Sequence, residues 1–372
     1  MASSVNFPHC FGCGVCAKAC PKSAINIDFD KDGFYKPFID QDKCINCGFC
    51  LDVCAFNHNE IASEKAPVLE SFAAWSKNPD VRGKCTSGGV VFEIAKKGLQ
   101  DGYKFVGVRY NAEMKRAEHY IATTEEELEP SIGSKYIQSY TVDAFAEIDK
   151  TNRYIVVGTP CQIDSLRRLI QKRKIEDNFL LIDFFCHGIP SHFMWEQYCR
   201  ENEKKIGRLK NVKWRNKFLD WHNSVSMYLE GERGCIKSPF TEGDFFFRFF
   251  LKDYCLGKQC YHNCKYKKKQ SSADYRVGDL WGSRYKSNRE GVSGLVVLSQ
   301  RGKDFLNNCS NIELKPESFE VVSEYQMSNN ARKNPFRNFT IWWFRHKLSM
   351  KALFYLCQPF YKIICKMVKH QK

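Results

Sequence analysis

Acidic residues are absent from the end of this sequence, and their absence limits the partners the chain can have. No Asp or Glu follows Glu324, whereas ten Lys or Arg lie between Arg332 and Lys372. The formal net charge over all 372 residues is +15. A basic, aromatic tail is typical of peripheral contact with an anionic membrane or with an acidic protein. No signature of a nucleic-acid-binding fold accompanies the charge, so we expect no nucleic-acid partner.

Long apolar runs are absent as well. The start of the sequence has no basic residues followed by an apolar stretch, so we expect no secretory signal and a cytoplasmic location. The aromatic tail cannot span a membrane because charges interrupt it at Arg345, Lys347, Lys351 and Lys362. We therefore predict one or two tail helices, broken near Pro359, that either pack on the core or lie peripherally at the inner face of the membrane.

Cysteine, by contrast, is abundant. The sequence has 19 Cys, and in a chain without export, disulfides are disfavoured and clustered cysteines indicate metal. A C-x2-C-x2-C-x3-C run occurs twice at a constant offset, first as Cys10, Cys13, Cys16 and Cys20, then as Cys44, Cys47, Cys50 and Cys54. The constant offset indicates a duplicated unit.

This spacing is that of a bacterial two-cluster 4Fe-4S ferredoxin. Three cysteines of each run surround one iron–sulfur cube, and the fourth ligates the other cluster. Zinc is disfavoured because zinc sites usually take paired cysteines separated by a longer loop. The predicted ligand sets are Cys10, Cys13, Cys16 and Cys54 for one cluster, and Cys44, Cys47, Cys50 and Cys20 for the other.

The pattern along the chain predicts an α+β or α/β protein with four parts. Residues 1–60 form a small two-cluster ferredoxin module with two strands around a turn at 30–33, and residues 61–70 form a polar linker. In residues 71–330, apolar strands such as "RYIVVG" and "NFLLIDFF" alternate with helices such as "QIDSLRRLIQKRK", which predicts a mixed or largely parallel sheet. Residues 331–372 form the basic, aromatic helical tail.

Five further cysteines are candidates for a third cluster. Cys161 and Cys186 each follow a buried strand, where open α/β sheets form their ligand crevice. Cys255, Cys260 and Cys264 lie together in "CLGKQCYHNC". Four of these five would complete a third 4Fe-4S site, while structural thiols and a zinc site are the alternatives.

Two glycine-containing turns are candidate cofactor contacts. "TSGG" lies between a strand and a helix, where hydroxyls and amides suit a phosphate, and "GSKY" combines a flexible turn, a cation and an aromatic ring, which suits a diphosphate joined to a flat ring system. Both turns are also typical of ordinary loops and helix caps. Their residues are Thr86, Ser87, Gly88, Gly89, Gly133, Ser134, Lys135 and Tyr136.

A set of motifs in a fixed order resembles the beta-subunit family of coenzyme F-420 hydrogenases and dehydrogenases. The motifs are "TSGGV", "GSKYIQS", "GTPCQI", "CHGIPS", "CYHNC" and "ADYRVGDLWGS", and they cover roughly residues 70–330. The resemblance implies bound FAD near the two turns and a 4Fe-4S cluster held by Cys161, Cys186 and the cysteines of the 255–264 segment. Asp274, Asp279 and Trp281 also match the family pattern, without an assigned role.

The resemblance further implies an oxidoreductase. Single electrons from a ferredoxin-type or other carrier would pass through the clusters to FAD for hydride exchange with a small molecule. That acceptor is coenzyme F-420 or an undefined substrate, as for relatives in surface-polysaccharide biosynthesis. A non-catalytic electron-transfer adapter subunit is the alternative. His187, beside Cys186, is a candidate proton donor, although a turn-stabilising or solvent-facing role is more common for such a histidine.

Overall fold

The secondary structure alternates between strands and helices along most of the chain. The structure, a computed structural model, describes residues 7, 9–63, 68–262, 264–267, 269–327 and 329–369, with the backbone alone at 262 and 360–369. The helices are α1 Val15–Ala19, α2 Phe49–Asp52, α3 Pro79–Lys84, α4 Val90–Gln100, α5 Val142–Glu147, α6 Pro160–Lys172, α7 His192–Ile206, α8 Phe245–Phe250, α9 Lys258–His262, α10 Gln300–Leu306, α11 Phe319–Val322, α12 Arg337–Arg345 and α13 Met350–Lys369. The strands are β1 Ile25–Phe29, β2 Tyr35–Ile39, β3 Glu70–Ser76, β4 Tyr103–Asn111, β5 Arg116–Ala122, β6 Ser139–Tyr140, β7 Arg153–Val157, β8 Phe179–Phe184, β9 Leu209–Lys213, β10 Ser226–Gly231, β11 Gly234–Pro239, β12 Tyr275–Asp279, β13 Ser293–Val297 and β14 Ile312–Pro316.

A nine-stranded sheet with the order β14-β3-β13-β12-β8-β7-β4-β5-β6 forms the centre of the fold. Its middle strands β12, β8, β7 and β4 pair in parallel, whereas pairs such as β3–β13 and β4–β5 are antiparallel. Helix α6 connects the parallel neighbours β7 and β8, as a crossover must. The prediction of a mixed α/β sheet is confirmed.

Both faces of this sheet are covered, because successive side chains of a strand point to opposite faces. In β7, Ile155 packs in the layer that contains Ile94 of α4, while Tyr154 and Val156 pack in the layer that contains Leu166 of α6. A strand buried on both faces needs apolar residues at every position, which explains the continuously apolar "YIVV" run.

An aromatic core joins the small sheet β11-β10-β9 to the helices α7, α8, α12 and α13. Trp195 and Trp214 lie at its centre with ring centroids 4.9 Å apart, and Phe246 packs edge-on against Trp195. All three side chains are buried. Trp214 follows β9, so the core fixes the segment after this strand. That segment reaches the candidate site described below.

The cysteine-rich module packs directly against the main sheet. Its β1–β2 hairpin turns at 30–33 as predicted, with Gly33 N donating to Asp30 O at 3.0 Å. Val15 and Val53 belong to the same buried cluster as Phe145 and Ile163. The sequence predicted a module with little core of its own, and the missing core is supplied by the neighbouring α5 and α6.

Two helices form the basic tail, as one of the sequence alternatives proposed. The predicted break near Pro359 is wrong, because α13 continues through this residue. Pro359 is exposed, so water can satisfy the carbonyl group whose hydrogen bond the proline ring removes. Among the described residues, no helix combines the length and the apolarity needed to span a bilayer.

Candidate functional site

The first predicted cysteine set lines a single cavity. Cys10, Cys13, Cys16 and Cys54 surround it, although Cys54 comes from the second run. Gly14, with a φ of 73°, begins α1 in the left-handed region, which turns the chain sharply enough to bring the thiols on either side to the same cavity. The neighbouring thiols are close enough for their charges to interact.

The second set is arranged in the same way around another cavity. Cys20 of the first run joins Cys44, Cys47 and Cys50 of the second. Gly48, with a φ of 75°, starts α2 as Gly14 starts α1. The two sets therefore exchange their fourth cysteine, which is the arrangement that the spacing predicts for a two-cluster ferredoxin.

A third cavity collects four of the five remaining candidates. Cys161 lies in the first turn of α6, Cys186 follows β8, and Cys260 and Cys264 lie in and after α9; all four line the cavity. Cys255 lies outside it. Its Sγ is 3.3 Å from Met194 Sδ in the buried aromatic core. Cys255 therefore packs in this core apart from the other four, a difference in position that spacing alone did not reveal.

Burial sets the protonation of these thiols before any metal binds. It raises the pKa of Cys186 to about 12 and that of Cys260 to about 11, with further increases from neighbouring thiolates. The free thiols of Cys186 and Cys260 are therefore neutral at physiological pH, and binding of positively charged iron must release their protons.

The arrangement of the candidate donors can be compared with that of a single-ion site. Four thiolates on one zinc at about 2.3 Å would lie about 3.8 Å from one another. Within the described part of the chain, no three metal-ligating side chains converge on one point in this way. Four cysteines instead line each of three cavities, an arrangement that suits an iron–sulfur cube.

The three cavities lie side by side. Phe11 lines both the first and the third. Burial, and then neighbouring thiolates that include Cys50 of the second set, raise the pKa of Cys16. Burial and then the thiolates of Cys186 and Cys13 do the same for Cys161. The order in space is therefore second, first and third cavity.

The two predicted flavin turns meet each other. Ser134 N donates to Thr86 Oγ1 at 3.1 Å. Gly133, with a φ of 87°, and Gly89, with a φ of 84°, adopt left-handed conformations that an L side chain would strain. Thr86 and Gly133 are 47 residues apart in the sequence, but the fold brings them into contact. A Cβ added at Gly133 would lie 3.9 Å from Thr86 Oγ1.

Several groups of these turns are already engaged with protein. Ser87 Oγ donates to Val292 O at 2.7 Å, and Gly88 N donates to Ser293 Oγ at 3.0 Å. Lys135 Nζ donates to three carbonyl oxygens of residues 130–132. The first turn of α4 also contains the buried Glu93, whose charge opposes an anion at this helix N-terminus. The N-terminus of α4, where the sequence predicted a contact with phosphate, is therefore a weak site for an anion.

Sequence reasoning missed two cations beside these turns. Lys217 Nζ donates to Ser87 O at 2.7 Å. Arg215 donates to Tyr136 Oη at 3.2 Å and to Asp279 Oδ2 at 2.9 Å, and its guanidinium lies 4.9 Å from the centre of the Trp281 ring. Asp279 and Trp281 of the family motif thereby position Arg215. In the sequence, only the two cations of the "WRNK" segment could have suggested that residues 214–217 belong to this site.

Burial lowers the pKa of Lys135 to about 7 and that of Lys217 to about 8. Both ammonium groups contact backbone carbonyls, and neither forms an ion pair among the described residues. A partly desolvated cation without a direct ion pair is costly, and an anion bound between the turns would relieve that cost.

One short segment connects the turns to the third cavity. Tyr136 belongs to the second turn, while Gln138 and Ser139 line the cavity of Cys161. The chain from Tyr136 to Ser139 spans at most about 10 Å. Packed rings form a second connection between the second turn and the third cavity. The ring centroid of Phe250 lies 5.3 Å from that of Tyr136 and 4.9 Å from that of His187 at the cavity wall.

His187 has a carboxylate partner that the sequence did not reveal. Its Nε2 lies 2.7 Å from Oδ1 of Asp253, and the imidazole lines the third cavity. Asp253 is itself held by Arg332 N, which donates to Oδ2 at 2.8 Å. The histidine is thus oriented by its neighbours rather than free in solvent.

Family models agree with this arrangement. Residues 9–58 match the 4Fe-4S dicluster domain. Residues 71–145 match "Coenzyme F420 hydrogenase/dehydrogenase, beta subunit N-term", and residues 151–318 match the model for the C terminus of the same subunit. The fold and the cysteine sets define an iron–sulfur protein of the redox and electron-transfer class. Within that class, the chain belongs to the coenzyme F420 hydrogenase/dehydrogenase beta-subunit family, as predicted.

A similar chain occurs among solved structures, in "Xenon derivatization of the F420-reducing [NiFe] hydrogenase complex from Methanosarcina barkeri". It is 14% identical, covers 79% of this chain and 93% of its own length, and superimposes with a TM-score of 0.48. No curated protein matches the chain significantly.

Proposed function

We propose that this protein is an iron–sulfur flavoprotein oxidoreductase that carries single electrons between a ferredoxin-type carrier and FAD, for hydride exchange with a small organic acceptor such as coenzyme F-420. The observation that carries this proposal is the continuous series of three four-cysteine cavities that ends at residues 133–139. Family membership supports an oxidoreductase assignment, because the matched models are those of a redox-enzyme subunit.

The two ends of the series differ in exposure, which suits entry and delivery of electrons. Cys47 is exposed, and Ile45 beside it is 57% exposed, so the second set of cysteines is the part a protein carrier can approach. Cys260 at the other end is buried. We assign Cys44–Cys50 to exchange with the carrier, and Cys161, Cys186, Cys260 and Cys264 to a third 4Fe-4S cluster that faces the interior.

Binding of FAD is supported by the paired turns and by two lysines that form no ion pair among the described residues. Lys135 and Lys217 would supply positive charge to the diphosphate, and Gly133 leaves room for close approach of the backbone. Arg215 holds the hydroxyl of Tyr136, which orients that ring at the same edge. When bound, a flavin supplies the conversion between one-electron and two-electron chemistry.

The first experiment is to measure iron and flavin in protein purified without oxygen. We expect about twelve iron atoms and one FAD per chain, from three four-iron clusters. FAD reduction by a reduced ferredoxin, followed by its reoxidation with a deazaflavin acceptor, would identify the acceptor class. About eight iron atoms without flavin would overturn the proposal and favour the electron-transfer adapter.

A matched pair of variants tests the third cluster. Cys260→Ala removes a thiol that lines the third cavity, and we expect iron to fall from about twelve to about eight atoms per chain. Cys255→Ala removes an equally buried thiol outside the cavity, and it should retain about twelve. Iron analysis and electron paramagnetic resonance of the reduced proteins measure both. Loss of iron in Cys255→Ala with retention in Cys260→Ala would contradict the ligand assignment.

A further inference from the structure

The outer side of the tail helices displays a group of large apolar side chains. Each is between 37% and 54% exposed, and the group, which we call the C-terminal apolar face, consists of Phe339, Trp342, Leu348, Tyr355 and Leu356. Phe339 and Trp342 are stacked with centroids 6.0 Å apart. Helices α12 and α13 contact each other, and groups of exposed apolar side chains on adjacent elements mark interaction surfaces.

The sides of α12 and α13 opposite the C-terminal apolar face pack against the protein core. Ile341 and Phe344 of α12, with Leu353 and Phe354 of α13, are buried in the aromatic core. The Arg248 guanidinium lies 4.8 Å from the Phe354 ring centre. One side of each helix is therefore buried in the core, and the same packing directs the exposed side chains outward.

The rim of this face is mainly positive, with Glu196 as an acidic neighbour of Lys347. Arg345, Lys347 and Lys351 are exposed, and among the described residues none of the three forms an ion pair. The sequence adds Lys362, Lys366 and Lys369 to α13, and no acidic residue follows Glu324. An apolar group of side chains bordered mainly by cations complements a surface that has anionic groups above an apolar interior.

We propose that the C-terminal apolar face binds the surface of an anionic lipid bilayer, with α12 and α13 lying parallel to the membrane. Trp and Tyr favour the depth of lipid headgroups, and Lys and Arg attract anionic lipids. Amphipathic helices with this division of side chains lie in the interface instead of crossing it. Charge complementarity favours lipid because Arg345, Lys347 and Lys351 are exposed without an ion pair among the described residues, and only cations follow them in the sequence. The proposal is independent of flavin binding.

Flotation of the full-length, iron-loaded protein with vesicles tests this surface. We expect binding to vesicles containing phosphatidylglycerol, and not to vesicles of phosphatidylcholine alone. The triple variant Arg345→Gln, Lys347→Gln, Lys351→Gln should lower partitioning about a hundredfold, since each cation near an anionic surface contributes about a factor of five. Added salt should weaken binding in the same direction.

The apolar contribution is tested by Trp342→Ser with Leu356→Ser. Both side chains are exposed, so the fold should tolerate the change, and partitioning should fall at least about tenfold. The matched control is Met114→Ser with Leu219→Ser, two exposed apolar residues elsewhere, which should bind like the unmodified protein. Equal binding to neutral vesicles, or no loss in the first variant, overturns the proposal. Self-association that Trp342→Ser abolishes, without flotation, would instead identify a protein interface.

Discussion

Lys135 and Lys217 are half-buried lysines whose charged form the folded protein disfavours. Burial lowers the pKa of Lys135 to about 7 and that of Lys217 to about 8, against an unfolded value of about 10.4. Around Lys217, Arg82 and Arg215 lower the pKa further, while Asp279 and Cys85 raise it. The unfolded chain binds more protons, so these lysines make the flavin-free protein more stable as pH rises through 7 to 10.

A bound diphosphate reverses this preference, because its negative charge favours the protonated lysines. Binding then takes up protons, and we predict that the dissociation constant of FAD rises about tenfold or more between pH 7 and pH 9. Lys135→Met and Lys217→Met should each bind FAD more weakly and with a flatter pH dependence. Quenching of FAD fluorescence during titration measures both effects.

The control for this prediction is Lys84→Met. Lys84 belongs to the neighbouring α3, and its side chain is 60% exposed. This variant should keep both the affinity and the pH dependence of the unmodified protein. A dissociation constant that stays constant from pH 7 to pH 9 in all four proteins would remove the two lysines from the diphosphate site.

At the scale of elements, the duplicated cysteine loops offer two glycines in equivalent positions. Gly14 and Gly48 begin α1 and α2 with φ values of 73° and 75°. Their surroundings differ. A Cβ at Gly14 would lie 2.1 Å from Thr141 Oγ1, whereas a Cβ at Gly48 would meet nothing within 4 Å. The first loop is thus pressed against the main sheet, and the second faces solvent.

Alanine substitution should separate backbone strain from this close packing. We predict that Gly48→Ala costs about 1–2 kcal/mol from the left-handed conformation alone. Gly14→Ala carries the same strain plus the displacement of Thr141, about 1–3 kcal/mol more. Urea unfolding of the iron-loaded proteins, followed by circular dichroism without oxygen, measures the difference. Equal midpoints for the two variants would mean that the Thr141 contact adds no cost.

For the whole molecule, the cysteine-rich module and the sheet share one hydrophobic core and a hydrogen-bonded seam. Gln138 Nε2 donates to Phe11 O at 2.7 Å, and its Oε1 accepts from Tyr35 N at 2.9 Å. Thr141 Oγ1 donates to Cys13 O at 2.9 Å. A module tied in this way cannot unfold without exposing the apolar faces of α5 and α6.

Cluster loss and unfolding of the sheet should therefore be a single event. We predict that thermal bleaching of the visible iron–sulfur absorbance and loss of far-ultraviolet circular dichroism have midpoints within about 2 °C of each other. Gln138→Ala, which breaks the seam, should separate the two transitions. If the unmodified protein already bleaches well below its unfolding temperature, the module is an independent unit and the shared core contributes little.

Much of the fold was predictable because its signals are local. The apolar runs of β7 and β8 and the helix α6 between them were all visible as patterns of neighbouring residues. The break near Pro359 was predicted wrongly, because the pattern gives no information on whether the freed carbonyl reaches water.

The spacing of the two cysteine runs was enough to predict two clusters. Three thiols so close in sequence can reach only one cluster, and the repeat of the run predicts that the fourth cysteine of each run reaches the other cluster. Tertiary structure decided what depends on distant contacts. It placed Cys161, Cys186, Cys260 and Cys264 around one cavity and Cys255 outside it, and it brought Lys217 beside Ser87 across 130 residues. Such choices rest on which side chains the packed core turns inward, and no local pattern encodes that direction.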